Sequence, residues 1–250
     1  MPASDAIVIR HCATLEEYQQ CVALQRAVWG WDDEDLIPRR FFVVAKKIEG
    51  QVIGAFEPSG KMIGFCLAVP AFRGDVRYLH SHMLAVLPEH RRAGVGRRLK
   101  LEQRRDALAR GTRLIEWTFD PLEWKNAAFN LNRLGAIARR YVPNLYGISS
   151  SPLHRGLPTD RLIAEWWLDS PRVAALAEGR AVPEPAFQRE IAIPLDILDG
   201  CGTNRERVTV LQRELRRQFE AAFGEGLVAL SLGMSGGTGM YRLGPFQPAG

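Results

Sequence analysis

The chain has 250 residues, of which 46% are hydrophobic, enough for the core of one large domain or two modest ones. This composition excludes a chain that is mostly disordered. No apolar run approaches the roughly 20 residues that span a bilayer, and the N-terminus lacks the pattern of a signal peptide, so we expect a cytoplasmic protein. The net charge of +5 suits an anionic ligand but is too small to indicate nucleic acid.

The first third of the chain predicts strands and helices in alternation. Thr14 with Glu17 three residues later forms a capping-box pattern, and Gly30 is typical of a helix end. Two apolar runs that flank a turn at 57–60 indicate a hairpin. The predicted elements are a strand at 7–10, helices at 14–30 and 38–47, a hairpin over 51–70 and a strand at 77–86.

The rest of the chain continues the mixed pattern, which is typical of an α/β or α+β protein. Residues 171–189 are rich in Pro, Ala and charge and predict a connecting segment between residues 1–170 and a C-terminal β-α-β-β extension at 190–250. We expect this extension to pack on the core or at a subunit contact. The predicted elements are helices at 96–110, 124–135 and 205–223, and strands at 113–119, 136–142, 160–168, 191–194, 226–232 and 240–244.

The segment "RRAGVGRR" lies between a predicted strand and a predicted helix. Gly94 and Gly96 would let the backbone approach an anion closely, and the helix start adds its positive dipole end. Leu99 stands where a Rossmann motif needs its third glycine, and a Walker motif is missing. The pattern predicts a cradle for an anion, such as the phosphates of a small cofactor. A surface turn before a basic helix, or a helix that binds nucleic acid, is the alternative. We expect Lys100, Arg104 and Arg105 to lie on a solvated face.

The R-x-x-G-x-G pattern after a strand resembles the acyl-CoA loop of the GNAT superfamily of N-acyltransferases. The phrase "LAVLPEHRRAGVGRRL" is similar to the superfamily's strand, loop and helix, and the elements up to about Leu168 follow the family's order. "HSHMLAV", "WTFDPLEWKNAAFNLNRLGA" and "YVPNLYG" resemble a bacterial GNAT group with a C-terminal extension. The resemblance implies a GNAT fold, with a mixed, splayed central sheet flanked by helices, in residues 1–170.

The resemblance also implies an enzyme that moves an acyl group from acetyl-CoA or another acyl-CoA to a primary amine by direct attack. Main-chain groups of Leu84, Ala85 and Val86 would bind the pantetheine arm. Asn126 and Asn130 could bind the same arm, or serve the helix surface instead. The acceptor would be a small-molecule or peptide amine. A homodimer is one open alternative for the oligomeric state. We expect no binding of nucleic acid, membrane or metal. The predicted pyrophosphate residues are Arg91, Arg92, Ala93, Gly94, Val95, Gly96, Arg97 and Arg98.

Acyl transfer to an amine requires a group that takes the proton of the nitrogen. Strand alternation predicts that His80 and His82 share a face with Leu84, and that Glu116 shares one with Thr118. Glu116 stands where some ribosomal-protein N-acetyltransferases of the superfamily carry a glutamate base, although a structural hydrogen-bond network is the alternative. Either histidine is a further candidate base, against a structural role in the core or at the strand edge.

The chain departs from the family at the residue that protonates the departing thiolate. Many members carry a tyrosine in the helix after the fifth strand, and Leu131 stands at that position here. Tyr141 or Tyr146 could substitute, although each could also be a packed aromatic. The missing tyrosine favours a second hypothesis, in which the protein is a non-catalytic acyl-CoA sensor or a protein-interaction module of GNAT fold.

Two further patterns indicate no chemistry. The segment 233–237 matches the G-x-S-x-G elbow of hydrolases, but no acidic residue or histidine follows Ser235, so we expect a hairpin turn. The cysteines lack C-x-x-C spacing or a histidine partner, so we expect reduced thiols and no zinc. They are Cys12, Cys21, Cys66 and Cys201.

Overall fold

The computed structural model describes residues 7–147, 156–195, 197 and 205–247. It divides into two compact units, the first covering the described chain up to Ile115 and the second nearly all of the chain from Glu116 onward. Cys201 and residues 148–155 lie outside the described residues. The domain boundaries expected near residues 170 and 190 stay predictions.

The first unit is an antiparallel sheet with helices on both faces, and flanking helices were expected from the family resemblance. Its strands β1 to β4 pair in chain order. Thr14 and Glu17 form the expected capping box, and Gly30 ends the first helix in a left-handed conformation. The elements are β1 Val8–His11, α1 Leu15–Trp29, α2 Arg39–Lys47, β2 Gln51–Phe56, β3 Met62–Arg73, β4 Val76–Val86, a 3₁₀ helix at Pro88–Ala93 and α3 Val95–Ala109.

A β-bulge in β4 changes which side chains share a face. Leu67 pairs with Met83 and Ala68 pairs with Ser81, so His82 is the extra residue of the bulge. Ser81 bonds to α3 residues, and Leu84 also packs on the α3 side. Regular alternation would put residues 81 and 84 on opposite faces. The prediction that His80 and His82 share the face of Leu84 is therefore wrong, because the faces exchange at the bulge.

The second unit continues from the end of β5 as a mostly antiparallel sheet with the strand order β5-β7-β6-β9-β10-β8. The predicted C-terminal strands and helix are all present. Among the described residues, no helix combines the length and the apolar composition needed to cross a bilayer. The elements from Leu114 onward are β5 Leu114–Phe119, α4 Trp124–Ala128, a π-helical turn at Phe129–Arg133, β6 Ile137–Val142, β7 Arg161–Trp167, α5 Pro171–Ala177, β8 Arg189–Pro194, α6 Arg205–Gly224, β9 Leu227–Ser235 and β10 Thr238–Pro245.

The C-terminal elements belong to the same sheet as β6 and β7. Ala138 of β6 pairs with Ala229 of β9. The side chain of Asn132 donates to the carbonyl of Leu232 at 2.8 Å and accepts from its N–H at 2.9 Å. The aromatic ring of Tyr141 stacks on Phe219 of α6 with centroids 5.9 Å apart. These contacts hold β9 and α6 against β6 and the π-helical turn that precedes it.

Two predicted segments differ in detail from the structure. The connecting segment at 171–189 contains α5, because Ser170 caps it by accepting from the N–H of Val173 and Pro171 stands in its first turn. The expected turn near Ser235 is a hairpin turn, as predicted. It is confined to Gly236 and Gly237, and both strands run further than expected.

Removal of the Asn132 side chain tests how firmly β9 is held. We expect Asn132→Ala to lower the free energy of unfolding by about 1–3 kcal/mol, because the main-chain donor and acceptor of Leu232 both lose a partner. Urea denaturation measures the change. The adjacent exposed Arg133→Ala serves as the control and should change stability by less than about 0.5 kcal/mol. Equal effects of the two substitutions would contradict the assignment.

Candidate functional site

The chain between β4 and α3 forms a tightly connected turn. The N–H of Leu87 donates to the carbonyl of Ile63 at 3.0 Å, and the N–H of His90 donates to Leu87 at 2.9 Å. Gly94 follows the 3₁₀ helix, and its carbonyl accepts the N–H of Arg98 at 3.1 Å. Helix α3 therefore begins at this turn, and the N–H groups of its first residues have no partner within the helix. They form the positive end of the helix dipole.

The two glycines of this turn differ in whether the backbone conformation requires a glycine at their position. Gly94 has a φ of 73°, in the left-handed region where other residues are strained by about 1–2 kcal/mol. Gly96 has no such constraint. A Cβ there would meet only Val86 Cγ2 at 3.8 Å and Leu84 Cδ2 at 4.0 Å, which are ordinary contacts. The fold thus requires glycine at 94 but not at 96, and the space beside Gly96 is open to a ligand.

The arginines of the predicted cradle are not equivalent. Arg91 and Arg92 are exposed, and Arg91 Nε donates to the carbonyl of Val86 at 3.2 Å. Arg98 donates to the carbonyl of Ile7 at 2.6 Å, so its guanidinium helps to hold the start of the chain. Arg91 and Arg92 are therefore better placed than Arg98 to meet a soluble anion.

Lys100 does not lie on a solvated face as expected. It is 2% exposed, and its Nζ donates to Gln103 Oε1 at 2.6 Å and to Ser81 Oγ at 3.2 Å. Burial lowers the pKa of Lys100 to about 7. The sequence prediction failed because the polar partners of the ammonium come from β4 and from the next turn of α3. Arg104 is half-buried, whereas Arg105 is exposed and pairs with Glu102, as a solvated residue would.

The two histidines of β4 lie next to each other, with ring centroids 6.1 Å apart. His80 is half-buried and His82 is exposed. The atoms packed around the imidazole of His82, together with neighbouring His80, lower its pKa. His82 is therefore mostly neutral at pH 7 and able to accept a proton.

Glu116 belongs to a network of ion pairs across three strands of the second unit. Its Oε1 accepts from Arg140 at 2.9 Å, and the same guanidinium lies 3.6 Å from Glu165. Glu165 also pairs with Arg139 at 3.1 Å and accepts from Trp167 Nε1 at 3.2 Å. A register shift in β6 at Arg139 brings both arginines to this network. The structural alternative considered for Glu116 is thus present, whether or not the residue has a second role.

Tyr146 is held in place although its side chain is half exposed. Its hydroxyl lies 3.0 Å from Thr118 Oγ1, and its backbone N–H donates to Thr159 at 2.9 Å. The guanidinium carbon of Arg161 lies 5.6 Å from the centre of its ring. Side chains this exposed usually move freely, so a tyrosine fixed at ring, hydroxyl and backbone is a preorganised group.

The other predicted tyrosine has a structural role. Tyr141 is buried, and its hydroxyl donates to Asp160 Oδ2 at 2.6 Å. Burial and this carboxylate raise the pKa of Tyr141 well above its usual range. Tyr141 is therefore excluded as a replacement acid. Leu131 is fully buried within the π-helical turn, so the family's tyrosine position points into the core here.

The predicted asparagines bond to each other. Asn130 is 2% exposed and donates to Oδ1 of the exposed Asn126 at 3.3 Å. This pair leaves Asn126 as the member that a cofactor can reach.

The sequence reasoning missed Asp120, the residue after β5. Its Oδ1 accepts from the N–H of Leu122 at 2.8 Å, and its Oδ2 lies 3.6 Å from Arg161 NH1. Burial raises the pKa of Asp120 to about 6, and the nearby Arg161 only partly opposes this rise. Its spacing of two residues from Thr118 and four from Glu116 was the available signal, since these positions alternate onto one face.

The cysteines of the described chain are free thiols, as predicted. Cys12, Cys21 and Cys66 are buried and unbridged. In the part of the chain that the structure describes, no group of three or more His, Cys, Asp or Glu side chains is arranged to hold a metal ion.

Comparison with known families identifies the region around the cradle. Residues 38–129, from the start of α2 to the end of α4, match the model of the acetyltransferase (GNAT) domain. Over these residues the chain is similar to GNAT acetyltransferases. The match includes β4, the glycine turn and α3, so the GNAT resemblance of the sequence is confirmed. No curated protein sequence matches the chain.

Solved structures share the GNAT fold at low sequence identity. The Salmonella typhimurium protein yncA, solved with its cofactor acetyl-CoA, has a TM-score of 0.53 and 16% identity over 66% of this chain and 95% of its own. Arabidopsis thaliana NAA60, solved with a bisubstrate analogue, has a TM-score of 0.52 and 14% identity, and the match covers 64% of this chain and 97% of its own. A GNAT-family acetyltransferase from Streptococcus pneumoniae has a TM-score of 0.51 and 19% identity, and the match covers 64% of this chain and 98% of its own. At these identities the likeness establishes the fold, with about a third of this chain beyond it.

The raised pKa of Asp120 has a measurable consequence for stability. A carboxyl whose pKa is higher in the folded state binds its proton more tightly when folded, so its stabilising contribution is present below about pH 4 and is lost as the pH rises to about 6. Asp120→Asn cannot ionise. We expect its free energy of unfolding to exceed that of the wild type by about 1–2 kcal/mol at neutral pH and to match it near pH 4. Urea denaturation at both pH values tests this, and a less stable variant at neutral pH would contradict it.

Proposed function

We propose that this protein is an acyl-CoA-dependent N-acyltransferase that moves an acyl group, in the simplest case acetyl, to a primary amine. The glycine turn of the GNAT domain carries the proposal. Gly94 is required by the backbone, whereas Gly96 leaves space that the fold does not use. The complex of the structurally similar Salmonella protein with acetyl-CoA supports the same cofactor.

The turn offers the groups that a pyrophosphate needs. The N–H groups of the first turn of α3 supply donors and the positive end of the helix dipole. Arg91 and Arg92 add charge-assisted donors from exposed positions, with Arg97 beside them. Main-chain groups of Leu84, Ala85 and Val86 are proposed to bind the pantetheine arm, as in the family that the sequence resembles.

The proposed reaction is a direct transfer. The lone pair of the amine attacks the thioester carbonyl carbon, the C–S bond breaks, and its electron pair leaves on sulfur. The nitrogen loses a proton and the thiolate gains one. Tyr146 is the proposed donor to sulfur, because its hydroxyl is accessible and held by Thr118. Among the proton acceptors expected from the sequence, His82 is neutral and exposed, whereas Glu116 is engaged by Arg140.

The proposed acceptor is a small-molecule or peptide amine. Arabidopsis NAA60 was solved with an analogue that combines two substrates, which fits a ternary complex of acyl-CoA and amine in a protein of this fold. The buried Leu131 supports a second candidate, a non-catalytic acyl-CoA sensor. Tight binding of CoA without turnover on any amine would favour the sensor.

Substitution at Gly96 separates cofactor binding from folding. We expect Gly96→Leu to weaken CoA binding at least about 10-fold, because the side chain fills the space beside the start of α3, while stability is kept or raised by the better helix former. Isothermal titration calorimetry with CoA measures the affinity. The matched control is Ala109→Leu at the exposed far end of the same helix, which should bind CoA normally. Unchanged affinity of Gly96→Leu would contradict the cradle.

Removal of the Tyr146 hydroxyl tests the proposed proton donor. We expect Tyr146→Phe to lower kcat by about 10²-fold with little change in CoA affinity. Thiol release from acetyl-CoA with an amine found by an acceptor screen measures the rate. Tyr78→Phe, on a half-buried tyrosine of β4, is the control and should keep full activity. A fully active Tyr146→Phe variant would remove this residue from the mechanism.

A further inference from the structure

Three polar residues alternate with apolar ones at the end of β5 and just after it. Glu116, Thr118 and Asp120 are spaced by two, so successive members lie roughly 7 Å apart along the chain. Thr118 in the middle bonds to the hydroxyl of Tyr146. The proposed proton donor is therefore bonded to the residue that lies between the two carboxyl-bearing positions along the chain.

The two carboxyl groups differ in how firmly they are held. The Glu116 side chain is 4% exposed, and Arg140 donates to it at 2.9 Å in a charge-assisted hydrogen bond. The Asp120 side chain is 22% exposed, and its Oδ2 lies 3.6 Å from Arg161, which is longer than a hydrogen bond. A partly exposed carboxyl whose guanidinium partner lies beyond hydrogen-bond distance can take a proton. The Glu116 oxygen is already engaged by Arg140 at bonding distance.

We propose that Asp120 accepts the proton that the acceptor amine loses. This inference rests on the proposed function. As the nitrogen bonds to the carbonyl carbon and the C–S electron pair leaves on sulfur, the N–H proton passes to Asp120 Oδ2. The sulfur takes its proton from the hydroxyl of Tyr146. One proton leaves the nitrogen and one reaches the sulfur, so the transfer balances.

The charges around Asp120 fit this role. Burial raises its pKa to about 6, Arg161 of β7 opposes the rise, and Glu123 and Asp160 add to it. The negative charge of Asp120 also contributes to the raised pKa of the buried hydroxyls of Tyr141 and Tyr241. The guanidinium of Arg161 lies over the ring of Tyr146. Asp120 is therefore mostly ionised at pH 7, yet closer to neutrality than an ordinary aspartate, which is favourable for a general base.

The turn that carries Asp120 is fixed by contacts that do not use Oδ2. Oδ1 accepts from Leu122, the carbonyl of Asp120 accepts from Glu123 at 3.2 Å, and the hydroxyl of Tyr241 donates to Pro121 at 2.7 Å. The amide oxygen of Asp120→Asn can accept from Leu122 in the same way. This variant therefore removes the proton acceptor while the turn keeps its hydrogen bonds.

The pH dependence of turnover tests the proposal. Thiol release from acetyl-CoA is measured with an amine found by an acceptor screen, between about pH 5 and 9, for the wild type, Asp120→Asn, Glu116→Gln and His82→Gln. We expect the wild-type rate to fall below about pH 6 and Asp120→Asn to lower kcat by about 10²-fold without this acidic limb. The matched control is Glu123→Gln, an exposed carboxyl three residues on, which should keep the rate and retain the limb, moved slightly to lower pH because Glu123 adds to the raised pKa of Asp120.

The outcomes separate this inference from the proposed function. Turnover by Asp120→Asn at the wild-type rate, or with the same acidic limb, overturns the role of Asp120 and leaves the proposed function standing. Loss of the limb in Glu116→Gln or His82→Gln but not in Asp120→Asn assigns the proton acceptor elsewhere. Absence of turnover on every amine by folded, CoA-binding wild type overturns the proposed function and this inference with it. Thermal unfolding of each variant at neutral pH excludes misfolding as the cause of a lost rate.

Discussion

The left-handed backbone at Gly94 turns the chain from the short 3₁₀ helix into α3, and the geometry of this turn depends on that single conformation. A residue with a Cβ would resist it, so the direction in which α3 leaves the sheet is fixed by glycine. Val95 and Leu99 then pack into the core beside β3 and β4. Because α3 is anchored at its start in this way, its first N–H groups are held in fixed positions before any ligand arrives.

Polar groups in this protein are buried in two different ways. Lys100 of the first unit is enclosed by uncharged partners, Ser81 and Gln103, and its ammonium is therefore destabilised. Glu116 and Glu165 of the second unit are buried with arginines, which compensate their charge. The first arrangement lowers the pKa of the buried lysine, whereas the second holds its side chains in place by ion pairs. The chain around β5 contains one of each kind of carboxylate: Glu116, whose ion pair stabilises the fold, and Asp120, which is held loosely enough for a chemical role.

Much of the fold followed from local signals in the sequence. The capping box at Thr14, the glycine ends of helices and the alternation of apolar residues located most elements within a few residues. The glycine turn was found for the same reason, since its motif is contiguous. The β4 bulge was beyond local reasoning because it depends on the pairing of Ala68 with Ser81 in a neighbouring strand. Lys100 and Asp120 were misjudged or missed because burial is set by residues distant in the chain. The helix α5 had a local signal in Ser170 and Pro171 that the overall composition of its segment concealed.

The pairing of β9 with β6 gives the C-terminal residues a protective role. Without them, the main-chain groups of β6 that face β9 would form an unpaired sheet edge beside apolar side chains such as Ile137 and Trp167. Such an edge can recruit a strand from another molecule. A fragment cut from this chain at residue 170 would thus be prone to aggregate, and a shorter version would need a redesigned β6 rather than a simple truncation.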